Sequence, residues 1–357
     1  MENRLTIKAR GSGRAAVRAR TWLALLTVTA LAACGGGAPQ ERFEQYLQRL
    51  ANTLSVQPQE PATTPLPRPP RPGSLRLDVD GGKVDALDFL ALSGCAVQVT
   101  IGKRNSSLGR MARDSQRLLL ELEYLRLAPD CVSEMRAAGR DALATSLQEA
   151  WQLKRAQLPA LVFNATLGAE EYRSFWQPTR APGAYPAVGD SSVTTSLAAV
   201  NAMVERWLSG DYSADNLAFE LALGDIAGGG GGALLGQLAL QHDWLNAADR
   251  MLQARAEQGP LCAPSYRHRA ADILPGVVRR FFIDGIQPHA AVMENRRYAL
   301  LPPIAELEQM LGTALPPNYR EWQEAREALL ELARGAPKSH VSHLQKILAP
   351  CDTAPGG

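Results

Sequence analysis

A run of polar residues between two apolar segments is the most distinctive candidate for chemistry in this sequence. Residues 103–110 read Lys-Arg-Asn-Ser-Ser-Leu-Gly-Arg. They could form a pocket for an anion, because guanidinium groups make paired hydrogen bonds with carboxylates and phosphates. The alternative is a structural turn, since Asn, Ser and Gly favour turns and can cap a helix. The candidate ligand-binding residues are Arg104, Asn105, Ser106, Ser107 and Arg110.

Catalysis at this stretch has little support in the sequence. A serine nucleophile needs a general base and oxyanion donors. The chain has no Gly-x-Ser-x-Gly, and no Ser-x-x-Lys with its usual partners. We therefore name no catalytic residue. An enzyme in which His242 or His289 activates Ser107 remains the alternative.

Metal and cofactor sites are also poorly supported. His340 and His343 are three residues apart, but no carboxylate lies within a helical turn of them, which favours an exposed helix face. The segment Asp78-Val79-Asp80-Gly81-Gly82 lacks the third oxygen ligand of a calcium loop, and Lys83 occupies the position of the required glycine. The five glycines at 228–232 are not followed by the Gly-Lys-Ser/Thr of a phosphate-binding loop. We expect no metal and no cofactor.

Four cysteines beyond residue 34 indicate two disulfides, because an even number in an exported chain is typical of such a framework. Three pairings are possible. We favour Cys95–Cys131 and Cys262–Cys351, since each closes a loop within one half of the chain. Metal binding is the weaker alternative, because the chain has no Cys-x-x-Cys and no His within four residues of these cysteines.

The first 34 residues differ sharply in charge from the rest of the chain. They hold six basic residues and one acidic residue, and without them the totals of 38 and 36 fall to 32 and 35. A mildly acidic body is a poor nucleic-acid binder. The apolar run at 22–31 has ten residues, which is too short to span a bilayer. The pattern is typical of a secretory signal.

Residues 31–35, Leu-Ala-Ala-Cys-Gly, resemble the lipobox of bacterial lipoproteins. That resemblance implies cleavage before Cys34 and lipidation of its thiol, and two or more acyl chains anchor a protein stably. An ordinary signal with an unmodified Cys34 is the alternative. Gly35 follows the cysteine where an Asp would indicate inner-membrane retention. By resemblance to enterobacterial sorting, this favours the outer membrane, facing the periplasm.

The mature chain divides into a membrane-proximal segment and a body. Residues 1–34 are the predicted signal, and 35–72 contain a glycine tether, an amphipathic helix at 41–54 and a spacer with seven prolines. The helix either packs on the body or lies on the bilayer, and its mixed charge favours the body. The proline-rich stretch is either a stiff spacer or a strap along the body.

Residues 73–357 form the predicted body, where helical spacing dominates. Leu75, Leu77 and Val79 alternate with polar residues, which predicts one short strand. The glycine run at 228–232 predicts a loop. We expect a mainly α, irregular helical body in which two lobes meet near these glycines, with at most a few short strands. Helices are predicted from 84 towards 104, near 113–127, over 139–157, 190–208 and 233–257, and after Pro316-Pro317 to a stop at Gly335. Trp322, Ala325, Leu329 and Leu332 lie on one face of this last helix.

The sequence resembles a family of uncharacterised proteobacterial lipoproteins, domain of unknown function 3080. The resemblance spans nearly all of the mature chain and implies export, lipidation and importance of residues 104–109. Lys103 stands where it leads us to expect an acidic residue, which argues against a mechanism that needs a carboxylate there. The resemblance rests on Phe43, Tyr46-Leu47, Arg49-Leu50-Ala51, the proline-rich stretch, Leu87-Asp88-Phe89-Leu90, Cys95, the residues from Arg104 to Gly109, Ser115, Leu118 and Cys131.

These features lead to one expectation and one alternative for function. We expect a membrane-anchored envelope lipoprotein that binds a protein or polymer partner in the periplasm and is not a catalyst. The alternative is a periplasmic enzyme or anionic-ligand binder with a polar pocket around residues 104–107.

The lipid anchor makes a direct prediction for Cys34. Cys34→Ala removes the thiol that accepts the lipid, so labelled palmitate should no longer enter the protein. The variant should be found unprocessed or in the soluble periplasmic fraction. Metabolic labelling and fractionation measure both. Palmitate incorporation that persists in the variant would show that the lipid is attached elsewhere.

Overall fold

Helices build nearly all of the regular structure in residues 39–79, 92–178 and 191–352, which are the residues that this computed structural model describes. The prediction of a mainly α fold is therefore confirmed. The predicted signal peptide, the lipidation of Cys34, the glycine tether that follows it and the first part of the helix expected from residue 84 lie outside the described residues. No helix in the described ranges has both the length and the hydropathy to cross a bilayer.

The first half of the chain contains one long helical hairpin. The hairpin is formed by α5 and α6, which are joined by a turn in which Gly139 has a positive φ of 69°. The bounds are α1 Pro39–Leu54, α2 Pro72–Leu75, α3 Val97–Asn105, α4 Ser107–Arg110, α5 Asp114–Ala137, α6 Asp141–Ala165 and α7 Glu170–Phe175.

The second half contains the longest helices and the described strands. Two two-residue strands form an antiparallel ribbon in which Cys262 pairs with Arg267. A π-helical turn at Val278–Ile283 continues α11. The bounds are α8 Ser191–Ser209, α9 Asn216–Ala227, α10 Gly231–Glu257, β1 Cys262–Ala263, β2 Tyr266–Arg267, α11 Arg269–Val277, α12 Gln287–Met310 and α13 Pro317–Asp352.

Helix α1 packs on the body, as its sequence predicts. Every residue of the predicted apolar face is buried, and the helix lies against α10 and α11. Arg42 on its margin donates a hydrogen bond to the carbonyl of Gly285 at 3.3 Å. Burial of this face in the protein, rather than in lipid, is therefore the structural role of the helix.

The proline-rich stretch is a strap along the body rather than a free spacer. Residues 56–71 contain no helix or strand. The backbone N–H of Thr64 donates to the carboxylate of Asp243 at 2.9 Å, and Arg250 donates to the carbonyl of Glu60 at 2.7 Å. Leu66 packs on the main apolar cluster. Side chains of α10 thus hold an extended segment that proline prevents from forming a helix.

The short strand predicted at 75–79 is wrong. Leu75 ends α2, and residues 76–79 form neither helix nor strand and pair with no strand in the described part of the chain. The amide of Asn164 takes the partner's place, accepting from the N–H of Leu77 at 2.8 Å and donating to its carbonyl at 2.9 Å. The Asn164 side chain therefore satisfies the backbone N–H and carbonyl of Leu77, which a neighbouring strand would otherwise have satisfied.

The glycine run is a packing feature more than a loop, contrary to prediction. Helix α10 begins at Gly231, so the last two glycines are helical. A Cβ at Gly232 would overlap the carbonyl of Gln177, and Gly230 has a positive φ of 69°. The run thus permits close approach of the chain after α7 to the start of α10.

The last helix continues well past its predicted end. Gly335 was expected to stop it, but α13 runs to Asp352 through both Gly335 and Pro337. Leu332, predicted on the apolar face of this helix, is half exposed. Burial of the side chains that follow outweighs the intrinsic helix penalties of about 1 kcal/mol for Gly and 3 kcal/mol for Pro. These buried side chains are Ala336, His340, Leu344, Ile347 and Cys351.

The described core divides into three apolar clusters rather than into two lobes at the glycine run. The largest joins α5 and α6 to α8, α9, α12 and the first parts of α10 and α13. The second joins α1 and α11 to the last parts of α10 and α13. The third lies between α3 and the far end of the α5–α6 hairpin. Residues from Pro39 onwards form one compact unit.

Each predicted disulfide lies inside one of these clusters. Cys95 and Cys131 are joined in the third cluster, with a Cα–Cα distance of 5.6 Å. Cys262 and Cys351 are joined in the second, at 4.9 Å. The pairing favoured from the sequence is therefore the one in the structure. The second bridge ties the end of α13 to β1.

His340 links three helices in the second cluster, which corrects the expectation of an exposed histidine face. Its ring is fully buried, with Nδ1 2.6 Å from the carboxylate of Asp249 on α10 and Nε2 2.7 Å from the hydroxyl of Tyr46 on α1. His343 contacts the same carboxylate at 3.2 Å but is partly exposed. Burial and the Asp249 charge raise the pKa of Tyr46, so its hydroxyl keeps its proton.

We expect His340→Ala to destabilise the protein strongly. The change leaves the Asp249 carboxylate and the Tyr46 hydroxyl buried without their main partner, at a cost of about 3–5 kcal/mol. His343→Ala is the matched control, since it removes a partly exposed partner of the same carboxylate and should cost under about 1 kcal/mol. Urea unfolding measures both. Equal losses would contradict a central role for His340.

Candidate functional site

A buried carboxylate on α5 organises the cationic side chains of the candidate site. Glu121 accepts from Lys154 of α6 at 2.5 Å and from Arg104 of α3 at 3.0 Å. The side chains of Glu121 and Lys154 are each 5% exposed, and that of Arg104 is 27% exposed. A buried carboxylate requires such partners, because desolvation disfavours an unpaired charge. One acidic residue thereby fixes two cations from different helices.

Tyr124 closes the buried side of this ion cluster. The Lys154 ammonium lies over its ring, 5.1 Å from the centroid. Burial and then the charge of Glu121 raise the pKa of Tyr124 to about 12, against a smaller opposing effect of Arg104. The phenol therefore stays protonated at neutral pH, and it contributes a ring face rather than a base.

The polar stretch at 103–110 both caps a helix and lines a cavity. Its capping role is seen in the turn between α3 and α4. The hydroxyl of Ser106 accepts from the N–H of Gly109 at 3.0 Å and donates to the carbonyl of Lys103 at 2.7 Å. It is thus the N-cap of α4. A Cβ at Gly109 would overlap the carbonyls of Lys103 and Arg104. Ser106 and Gly109 therefore hold α4 tightly against the end of α3.

A polar cavity of about 580 Å³ lies beside this turn. Its walls come from the extended segment after α2, from α3 and α4, from the first half of α5 and from α6. Asn164 fixes the first of these walls through its two bonds to Leu77. The lining residues are Arg76, Leu77, Asp78, Val79, Arg104, Asn105, Gly109, Arg110, Asp114, Arg117, Glu121, Lys154, Gln157, Leu161 and Asn164.

The lining carries more positive than negative charge. Five of its side chains are cationic and three are acidic. Arg76 pairs with Asp114 at 3.0 Å, and Glu121 serves both Arg104 and Lys154. Arg110 and Arg117 make no ion pair with any residue in the described ranges. The cavity therefore presents two guanidinium groups that the described acidic residues do not neutralise.

The structure brings together part of the predicted site. Arg104, Asn105 and Arg110 line the cavity, whereas Ser106 caps α4 and Ser107 is exposed outside the lining. His242 and His289, the proposed bases, also lie outside it. Burial and the charge of Arg42 on α1 lower the pKa of His289. The cavity thus supports anion binding better than activation of Ser107.

The residues of α5 and α6 that complete the cavity are not among those predicted from the sequence. Glu121 falls among the buried leucines of α5, and Lys154 lies on the stripe that includes Leu147 and Leu158 of α6. A charged residue at a core position of each helix was the available signal, because such residues are almost always paired when buried. Arg117 had no comparable signal.

No metal site accompanies the cavity in the part of the chain that the structure describes. There, no three His, Cys, Asp or Glu side chains come together as metal ligands. Asp114 and Glu121 of the lining serve as counterions to arginine and lysine instead, whereas Asp78 makes no ion pair with a described residue.

We expect Glu121→Gln to destabilise the fold and disturb the cavity. The neutral amide leaves the buried Lys154 ammonium without its counterion, at a cost of about 3–5 kcal/mol. Glu123→Gln is the matched control on the same helix, because it breaks an exposed pair with Lys103 and should cost under about 1 kcal/mol. Chemical denaturation measures the difference. Similar small losses would show that the triad is not a structural constraint.

Comparisons with known proteins add a family but no activity. No curated protein and no solved structure matches the chain. One family model, described as a protein of unknown function (DUF3080), matches residues 43–355. This range contains every residue of the cavity and both disulfides. Because the match covers most of the sequence, the chain belongs to the DUF3080 family.

Proposed function

We propose that this protein is a lipid-anchored protein of the bacterial envelope that binds an anionic ligand without catalysis. The observation that carries the proposal is the cavity beside α4, in which Arg110 and Arg117 are not neutralised by the acidic residues described. Its volume of about 580 Å³ lies within the range of small-molecule sites.

The chemistry of the lining supports a carboxylate or phosphate as the bound group. Guanidinium groups bind both through pairs of charge-assisted hydrogen bonds. Asn105 and Gln157 add neutral side chains that can donate and accept. The buried cluster around Glu121 holds part of the wall in place, so the geometry of the site is largely formed before a ligand enters.

The composition of the lining favours binding over nucleophilic catalysis. The lining residues described include no histidine, cysteine, serine or threonine. The hydroxyl, thiol and imidazole nucleophiles of acyl and phosphoryl transfer are these residue types, and Asp114, Glu121 and Lys154 of the lining are held in ion pairs. Recognition of charge is therefore the chemistry for which the side chains are suited.

The anchor is supported by the signal-like N-terminus and by the position of α1. Pro39, the first residue of α1, is five residues after Cys34, a distance of at most about 18 Å for any conformation of the intervening chain. Helix α1 is packed on the body through Tyr46 and its neighbours. Lipidation of Cys34 would consequently hold the body close to the membrane surface rather than at the end of a long linker.

The double variant Arg110→Gln/Arg117→Gln tests the proposed ligand class. Inorganic phosphate and acetate are titrated into the full-length protein in amphipol, with isothermal calorimetry as the readout. The variant should bind the preferred anion at least about tenfold more weakly, since hydrogen bonds to charged groups each contribute about 1.5–3 kcal/mol. Higher ionic strength should weaken binding by the wild type.

Arg126→Gln/Arg155→Gln provides the matched control. Both residues are exposed on the same helical hairpin, and neither lines this cavity. The control removes the same charge and should leave anion affinity unchanged. Absence of binding by the wild type to either anion, or equal losses in the two double variants, would contradict the proposal.

A further inference from the structure

One acidic residue of the cavity lining differs from the other two in having no partner. Asp114 and Glu121 are held in ion pairs with cations of the lining. Asp78 lines the same cavity, but its carboxylate makes no ion pair and no hydrogen bond with any residue that the structure describes. An ionised carboxylate only accepts hydrogen bonds. The lining therefore offers a ligand one negatively charged acceptor as well as two guanidinium groups.

Asp78 stands on a different wall of the cavity from the two unpaired arginines. It belongs to the segment after α2, which Asn164 holds through its two hydrogen bonds to the backbone of Leu77. Arg110 belongs to α4 and Arg117 to α5. Neither guanidinium forms an ion pair with Asp78. Unpaired charges of opposite sign are thus presented to one cavity from separate walls.

The remaining charged residues of the lining are already satisfied within the protein. Arg76 is paired with Asp114, and the side chains of Glu121 and Lys154 are joined to each other and are each only 5% exposed. The charged groups left to recognise a ligand are consequently two cations and one anion. A small anion such as acetate would satisfy the arginines alone and would fill only part of a cavity of about 580 Å³.

We infer that the ligand is a zwitterion, whose protonated primary amine contacts Asp78 while its carboxylate or phosphate contacts Arg110 and Arg117. This inference rests on the proposed function and specifies its ligand class. An ammonium group has three hydrogen-bond donors and no acceptor, which complements the Asp78 carboxylate. Peptides with free termini and aminoalkyl phosphates share this chemistry, and the two arms of the experiment distinguish them.

Two pairs of soluble probes isolate the contribution of the amine. Alanylalanine and N-acetylalanylalanine share a carboxylate, and O-phosphoethanolamine and ethyl phosphate share a phosphate, but only the first of each pair carries an ammonium group at pH 7. Isothermal calorimetry measures their binding to the full-length protein in amphipol. The wild type should bind one amine-bearing probe about threefold or more tightly than its amine-free counterpart, which is the effect of a single partly screened ion pair.

The variant Asp78→Asn should remove this preference by opposite effects on the two probes. It should bind the preferred amine-bearing probe about threefold more weakly. It should bind the amine-free counterpart at least as tightly as the wild type does, because the lost negative charge repels an anion. Asp78 is exposed and unpaired, so folding should be unaffected, and circular dichroism verifies this.

Asp130→Asn is the matched control. Asp130 is exposed on α5 and does not line the cavity, so the variant loses the same charge outside the site. It should keep the preference of the wild type for the amine-bearing probe. An equal loss of preference in the two variants would show that net charge, rather than contact with Asp78, is responsible.

The outcomes distinguish this inference from the proposed function. A wild type that binds neither amine-bearing probe more tightly than its counterpart, or an undiminished preference in Asp78→Asn, would overturn the zwitterionic ligand. If the amine-free probes still bind in a manner that depends on Arg110 and Arg117, the anion site stands without the ammonium site. If none of the four probes binds, both proposals fail.

Discussion

The burial of one carboxylate is the constraint on which the candidate site depends. Glu121 lies inside the helical hairpin, where an unpaired charge would be strongly disfavoured. It therefore draws Lys154 from α6 and Arg104 from α3 to within hydrogen-bonding distance. Since α3 leads directly into the capped turn of α4, the position of this carboxylate also determines where Arg110 stands. The cavity is a consequence of satisfying that charge.

The same physical rule operates a second time at the other end of the molecule. Asp249 on α10 is buried and is satisfied by His340 from α13, which in turn contacts Tyr46 of α1. Here the result is a hydrogen-bonded contact that joins three helices rather than a cavity. Because α1 follows the predicted anchor within a few residues, this contact would transmit a force exerted at the membrane to the centre of the second cluster. The two buried acids thus have different roles, one forming the site and the other securing the body.

Much of the fold could be predicted from residue periodicity. The helices of the hairpin, α1 and α10 were anticipated, because each carries apolar residues at helical spacing. The predictions were wrong where contacts with residues distant in the sequence outweighed the local conformational preference. Asn164 satisfied the backbone of Leu77 in place of a strand, and burial of α13 beyond Gly335 overrode two residues that disfavour helices. Such effects depend on neighbours that are remote in sequence.

Residue types and their spacing predicted the helical class, favoured one of three possible cysteine pairings, and indicated the polar stretch that contains Arg104, Asn105 and Arg110. These follow from local spacing and from residue chemistry, which need no knowledge of neighbours. The tertiary structure alone decided that Ser106 is a cap, that Ser107 lies outside, and that Arg117, Glu121 and Lys154 complete the cavity. The reason is that a pocket is formed by the relative placement of helices, and that placement depends on the pairing of buried charges across them.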